Sequence, residues 1–188
     1  IIGILVAIIA VSGFFLYSML HSPSDQTLIN PTLQFNPDNP NPQLKAAIVD
    51  HLSLTFPNQT FTETAANILN QAGYTVDYYS GEKVTVEFYR NLPTHGYNMI
   101  ILRVHSAIGA EPIVCLFTSE SYSQNRYVYE QLAHQISRVH YNVGGKEQLY
   151  FGIAPNFVSS MNGRFDNAVI VMMGCNGLTY PGMAQAFI

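Results

Sequence analysis

The sequence has few charged residues, only two cysteines and no tryptophan. Charged residues make up 11% of its 188 residues, and the net charge is −4. Binding to a phosphate backbone needs a basic patch, so this charge distribution excludes a nucleic-acid partner. The two cysteines, Cys115 and Cys175, give no disulfide framework, although one bridge between them would be compatible with an oxidising compartment. Since His95, His134 and His140 have no Cys or carboxylate at metal-ligand spacing, we expect neither a metal nor a cofactor.

The N-terminal part also lacks charge. Residues 1–20 form an uncharged apolar run, about as long as a bilayer-spanning helix. Residues 21–44 are rich in Pro, Asn and Ser, as is typical of a polar, extended tether. We therefore expect a transmembrane anchor over 1–20. The alternative is a cleaved signal segment, whose apolar core is usually about 7 to 15 residues long.

Basic residues are missing from the same region. No Lys or Arg precedes Lys45, and cytoplasmic flanks of membrane helices usually carry such charges. A single-pass membrane protein with its globular domain on the extracytoplasmic side is therefore expected. We also expect the chain to be a fragment at both ends.

Residues 45–188 alternate between strand-like and helix-like segments. Apolar and aromatic runs predict strands over 45–50, 74–79 and 98–104, with helices over 62–72 and 86–92 between them. A further strand over 168–173 and a helix over 180–188 are expected near the end. The intervening residues, about 107–160, are expected to form an insertion with strands over 113–118 and 149–153 and a helix over 127–139. This order is typical of an α/β domain with a parallel sheet.

Two of the predicted strands end in a reactive side chain. NMIILRVHS, residues 98–106, ends near His105, and AVIVMMGCNG, residues 168–177, ends near Cys175. Chemistry in parallel sheets takes place beyond the carboxyl ends of the strands. If these strands are neighbours, an imidazole and a thiol meet there, which is the minimum machinery for cysteine nucleophilic catalysis. Taken singly, a Cys or His at such a position is more often a core or surface residue.

The first predicted strand ends at the same edge with Asp50 and His51, which are both candidates for binding substrate or for orienting the imidazole. Three roles remain open for Asp50: it orients an imidazole, it selects a basic substrate side chain, or it only caps the following loop. Glycines at 174 and 177 flank the thiol and allow the backbone to approach closely.

The two strand ends resemble those of caspase-like cysteine peptidases, the clan of caspases, legumain, gingipains, clostripain and separase. In that clan one apolar strand ends in His-Gly and a later one in Ala-Cys or Gly-Cys. Here the matching segments are ILRVHS and VIVMMGC, and the resemblance covers roughly residues 44–188. It implies a three-layer sandwich around a mostly parallel sheet. The chain departs from the pattern in three ways: Ser106 stands in place of Gly, the interval from His105 to Cys175 is 70 residues, and the sequence ends thirteen residues after the cysteine.

The resemblance also implies roles for individual residues. Cys175 would be the nucleophile and His105 the acid–base group. The backbone amide of Cys175, with that of Ser106 or Ala107, would stabilise an oxyanion next to Gly174. The sequence thus predicts a membrane-anchored, extracytoplasmic cysteine endopeptidase acting on peptide or protein substrates.

Two other functions stay open. One is a catalytically inactive caspase-like interaction or sensor module, which Ser106 and the long insertion favour. The other is a flavodoxin-like ligand-binding domain. The second is disfavoured because HLSLTFPNQT, which follows the first strand, contains no glycine-rich phosphate loop.

Overall fold

A computed structural model describes residues 44–109, 112–143, 145–177 and 179–188. The expected anchor over 1–20 and nearly all of the expected tether over 21–44 lie outside the described residues. Within the described ranges, no helix has the length and apolar character needed to cross a membrane.

The described residues contain eight strands and five α-helices. In chain order they are β1 Lys45–Asp50, α1 Gln59–Gln71, β2 Thr75–Ser80, α2 Val86–Asn91, β3 Met99–Arg103, β4 Ser106–Ile108, β5 Val114–Ser121, α3 Val128–Leu132, β6 Ile136–Val143, β7 Lys146–Ile153, α4 Pro155–Val158, β8 Val169–Met173 and α5 Gly182–Ala186. Short 3-10 turns follow β1 and β2, over His51–Leu54 and Gly81–Lys83.

The first sheet is parallel throughout and has the strand order β2-β1-β3-β8. The domain is therefore a mixed α/β fold with a parallel sheet, as expected. The chain places β2 on one side of β1 and β3 on the other, so the winding direction reverses between β1 and β3. In open α/β sheets, ligands bind in the crevice beyond the carboxyl ends of the strands at such a reversal.

Helices cover both faces of this sheet at β1, which explains why its apolar run is continuous. Ala46 and Ile48 belong to one buried cluster with Leu69 of α1. Val49 belongs to a second cluster, on the other face, with Tyr89 of α2. Successive side chains of a strand point to opposite faces, so a strand covered on both faces needs apolar residues at every position.

The second sheet is antiparallel, has the order β4-β5-β7-β6, and is built entirely from residues between β3 and β8. The strands expected over 113–118 and 149–153 are found here as β5 and β7. Strand β4 begins at Ser106, directly after His105. The insertion therefore starts at the carboxyl end of β3 and places its sheet beside that edge.

Two expected helices differ from the structure. The helix expected over 127–139 ends at Leu132, and residues 136–143 form β6, paired with β7 along its whole length. His134 has a left-handed φ of 54°, which ends the helix, and the β-branched Ile136 and Val139 suit a buried strand. The helix expected over 180–188 is only Gly182–Ala186. So short a helix has a small dipole.

Candidate functional site

The pairing of β3 with β8 brings the two predicted reactive residues to neighbouring strand ends. Arg103 lies opposite Met173 in the parallel register, and the Val104 amide donates to the Met173 carbonyl at 3.1 Å. His105 and Cys175 each lie two residues beyond that last pair. They therefore leave the sheet side by side at its carboxyl edge, and Cys175 is exposed there.

The turn that carries Cys175 is tied to the start of β4. The buried Ser106 hydroxyl donates a hydrogen bond to the Cys175 carbonyl. A side chain at Gly174 would place its Cβ 2.6 Å from the Ser106 Oγ and 2.9 Å from the Val104 carbonyl oxygen. Glycine is thus required at 174, and Asn176 completes the turn with a left-handed φ of 58°.

His105 is half-buried and held on several sides. Its Nε2 shares a hydrogen bond of 2.8 Å with the Thr55 hydroxyl. Its ring stacks on Tyr141 with a centroid distance of 4.8 Å and contacts the rings of Phe56 and Phe117. Thr55 occupies Nε2, and Nδ1 has no hydrogen-bond partner among the described residues. Burial, and then the Arg103 guanidinium, lower the pKa of His105, so the ring is neutral at pH 7.

His51 lies behind His105 as a buried neutral ring. The two rings meet edge to face with centroids 5.6 Å apart. Burial, and then the proximity of His105, lower the pKa of His51 to about 4. The Thr118 backbone opposes this shift, but neither ring nitrogen of His51 has a partner in hydrogen-bonding geometry among the described residues. His51 therefore packs like an apolar residue at the base of the site.

This burial makes folding depend on pH. Between pH 6.5 and 4 the unfolded chain binds a proton at His51 that the folded chain does not, so stability is lost as the pH falls. We expect this residue to lower the free energy of unfolding by about 3 kcal/mol over that range. Urea unfolding of the wild type and of His51→Leu at several pH values measures it. Parallel pH dependence in the two proteins would contradict a buried neutral His51.

Asp50 forms an ion pair with the neighbouring strand. Its carboxylate binds the Arg103 guanidinium, with Oδ1 and Nη1 2.5 Å apart, and accepts a hydrogen bond from the Tyr78 hydroxyl. It makes no cap hydrogen bond to the turn that follows. The expectation that Asp50 caps the loop is therefore wrong, and its hydrogen-bond partners in the described part of the chain are Arg103 and Tyr78 rather than an imidazole. Arg103 also donates to the Phe56 carbonyl, which anchors the loop carrying Thr55.

The remaining predicted residues lie away from the site or pack in the core. Cys115 is buried in β5, where burial raises the pKa of its thiol. His140 is exposed on β6 and lies 3.6 Å from Glu147. Within the described part of the chain, no group of three or more His, Cys, Asp or Glu is placed to hold a metal ion.

Sequence reasoning missed Thr55 and Tyr141, which hold the His105 ring. Thr55 follows β1, so the parallel strand order alone could have predicted that Thr55 lies at the carboxyl edge. The position of Tyr141 could not be predicted, because it depends on the pairing of β6 with β7.

In comparisons with known proteins, no family profile, no curated sequence and no solved structure matches this chain.

Proposed function

We propose that the domain is a cysteine endopeptidase of caspase-like fold, in which Cys175 is the nucleophile and His105 the acid–base group. The observation that carries the proposal is the register of β3 and β8, which ends both strands at one edge. The exposure of Cys175 supports it, because a peptide must reach the sulfur. The partial burial of His105 supports it as well, because a fixed ring transfers protons from a defined position.

The proposed reaction has two stages. Neutral His105 accepts the proton of the Cys175 thiol through Nδ1, and the sulfur attacks the carbonyl carbon of the scissile bond. The protonated ring then gives this proton to the leaving amine, which departs and leaves a thioester. His105 next takes a proton from water, and the hydroxide formed attacks the thioester. The acid product leaves and the thiol regains its proton.

The oxyanion formed in each stage needs hydrogen-bond donors. The proposal assigns this role to the backbone amide of Cys175, with that of Ser106 or Ala107, and the loss of one such donor typically costs about 3 kcal/mol. The hydrogen bond from Ser106 to the Cys175 carbonyl supports this assignment, since it fixes the orientation of the cysteine turn.

Localisation is a separate part of the proposal and depends on the sequence alone. The uncharged run over 1–20 and the absence of Lys and Arg before Lys45 support a single-pass anchor with the domain on the extracytoplasmic side.

A second candidate is a catalytically inactive module of the same fold. It is favoured by the buried side chain of Ser106, at the position where the resembling peptidases have Gly. One experiment separates the two. The folded chain is incubated at neutral pH with a library of peptides that covers all side chains, with and without prior alkylation by iodoacetamide. Cleavage that alkylation stops supports the peptidase. A folded protein that cleaves no peptide supports the inactive module.

A further inference from the structure

The His105 ring is the inner end of a stack of three aromatic rings. Tyr141 of β6 stacks on the imidazole, with ring centroids 4.8 Å apart and an interplanar angle of 25°. Tyr150 of β7 stacks in turn on Tyr141, at 4.9 Å and 1°. The insertion, which begins directly after His105, therefore returns to the candidate site and covers one face of its imidazole.

The pairing of β6 with β7 places the two tyrosines in this stack. Tyr141 is paired with Gln148, and Tyr150 lies two residues further along β7 on the same face. Such diagonal neighbours are within reach of each other when their side chains are aromatic. The Tyr150 hydroxyl donates to Gln148 Oε1 at 2.6 Å, which holds the outer ring on its own strand. Tyr150 therefore supports Tyr141, and Tyr141 supports the imidazole.

The other contacts of the imidazole hold its edge and its tilt. Its Nε2 shares a hydrogen bond with the Thr55 hydroxyl. Three further rings meet it at interplanar angles of 76°, 66° and 53°, and they belong to His51, Phe56 and Phe117. Of the rings that contact His105 in the described part of the chain, Tyr141 alone lies nearly flat against it.

A neutral tyrosine ring favours the protonated form of an imidazole that stacks on it. The face of the ring carries the negative part of its quadrupole and attracts a cation lying over it. Burial raises the pKa of Tyr141, so this ring is neutral wherever His105 titrates. Burial, and then the Arg103 guanidinium, act in the opposite direction on His105 and lower its pKa. The stack thus limits the loss of basicity that these two effects cause.

Few other titratable groups face the imidazole. His51, behind it, is neutral because burial lowers its pKa to about 4. Arg103, on β3, is bound to Asp50. The Cys175 thiol follows the neighbouring strand β8. Among the described residues no carboxylate forms a hydrogen bond or an ion pair with His105, so the stacked tyrosine takes the place of an anionic partner.

We propose that Tyr141 is a positioning residue of the site: its ring holds the His105 imidazole in place and stabilises the imidazolium, with Tyr150 as its support. The role in the reaction rests on the proposed peptidase function, in which the imidazolium forms when His105 takes the proton of the Cys175 thiol. The proposal also gives the insertion a function. The stretch that separates the two reactive residues in sequence supplies the support for one of them.

An NMR titration tests the stack without requiring turnover. The pKa of His105 is followed through its ring protons in the full chain carrying Cys175→Ala, which removes the neighbouring thiol. Tyr141→Leu keeps an apolar side chain but removes the aromatic face, and we expect it to lower the pKa of His105 by about 0.5 unit. Tyr141→Phe keeps the face and should restore the original value. Tyr129→Leu, which replaces an exposed tyrosine on α3, is the matched control and should change nothing.

The rate at which iodoacetamide alkylates Cys175 is a second readout, taken in the same tyrosine variants with the cysteine intact. A base weaker by about 0.5 unit lowers the population of the thiolate–imidazolium pair about threefold. Alkylation of Cys175 should therefore slow about threefold in Tyr141→Leu and keep its original rate in Tyr141→Phe. Tyr150→Leu, which removes only the outer ring, should move both readouts in the same direction by less.

The two proposals fail in different ways. An unchanged or higher pKa of His105 in Tyr141→Leu, or an equal loss in Tyr141→Phe, would overturn the role of the stack even if the wild type cleaves peptides. If Tyr141→Leu does not fold, a pKa in Tyr150→Leu equal to the original value would overturn it instead. A pKa that depends on the aromatic face, in a folded protein that cleaves no peptide, would keep the assignment of Tyr141 and overturn the peptidase.

Discussion

Replacing Cys175 by alanine is expected to abolish peptide cleavage, and replacing His105 by alanine to lower kcat by about 10²- to 10⁴-fold. Alanine at 175 removes the only nucleophile of the proposed reaction. Without the imidazole at 105, the thiol must lose its proton to water and the leaving amine must depart without a proton. Steady-state kinetics on the best peptide of a library measure both effects.

Two control variants show whether these losses are specific. Cys115→Ala removes a thiol from the core of the second sheet, and His140→Ala removes an exposed imidazole from β6. Both are expected to keep the kcat of the wild type. Activity that survives Cys175→Ala, or that falls equally in the control variants, would show that the reaction does not use this pair.

Asp50→Ala is expected to lower the free energy of unfolding by about 3 to 5 kcal/mol. Asp50 is buried, and its carboxylate neutralises the nearly buried Arg103 on the neighbouring strand. Without this carboxylate, the guanidinium stays in the interior, and the Phe56 carbonyl is the one hydrogen-bond acceptor left to it among the described residues. An uncompensated buried charge is among the most destabilising defects that a substitution produces. Urea denaturation measures the change.

The double variant Asp50→Ala/Arg103→Met is the matched control. It removes both the carboxylate and the guanidinium, so no unpaired charge stays buried. We expect it to recover most of the stability that Asp50→Ala loses. Glu147→Ala breaks an exposed pair with His140 and should cost less than about 0.5 kcal/mol. A small loss in Asp50→Ala, or no recovery in the double variant, would mean that the pair does not hold the ends of β1 and β3 together.

The parallel sheet could be predicted from the sequence because its signal is local. β1 and β3 are buried on both faces over most of their length, so their apolar runs mark them without knowledge of their neighbours. The prediction that His105 and Cys175 follow neighbouring strand ends required one further assumption, that β3 and β8 are adjacent, and the register confirms this adjacency. The ion pair between Asp50 and Arg103 could also have been predicted, because these two opposite charges end adjacent parallel strands.

The second sheet could not be predicted in the same way. Residues 127–139 carry apolar side chains at helical spacing, and only the pairing of 136–143 with 146–153 makes β6 a strand. The positions of Tyr141 and Gln148 depend on this pairing. A cavity lined by Glu82, Tyr141 and Gln148 likewise depends on how the turn after β2 meets the second sheet. Contacts of this kind are set by tertiary packing, which local sequence patterns do not encode.

The central claim is that the His105 ring acts on the Cys175 sulfur, and the rate of alkylation of Cys175 tests it most directly. Iodoacetamide labelling at pH 7, followed by mass spectrometry, gives the rate for each cysteine, with the buried Cys115 as an internal reference in the same sample. Exposure alone would make Cys175 react first in any variant. If His105 accepts the thiol proton, His105→Ala must slow the alkylation of Cys175 by about tenfold or more, while His140→Ala must not. Equal rates for Cys175 in the wild type and in His105→Ala would contradict the claim.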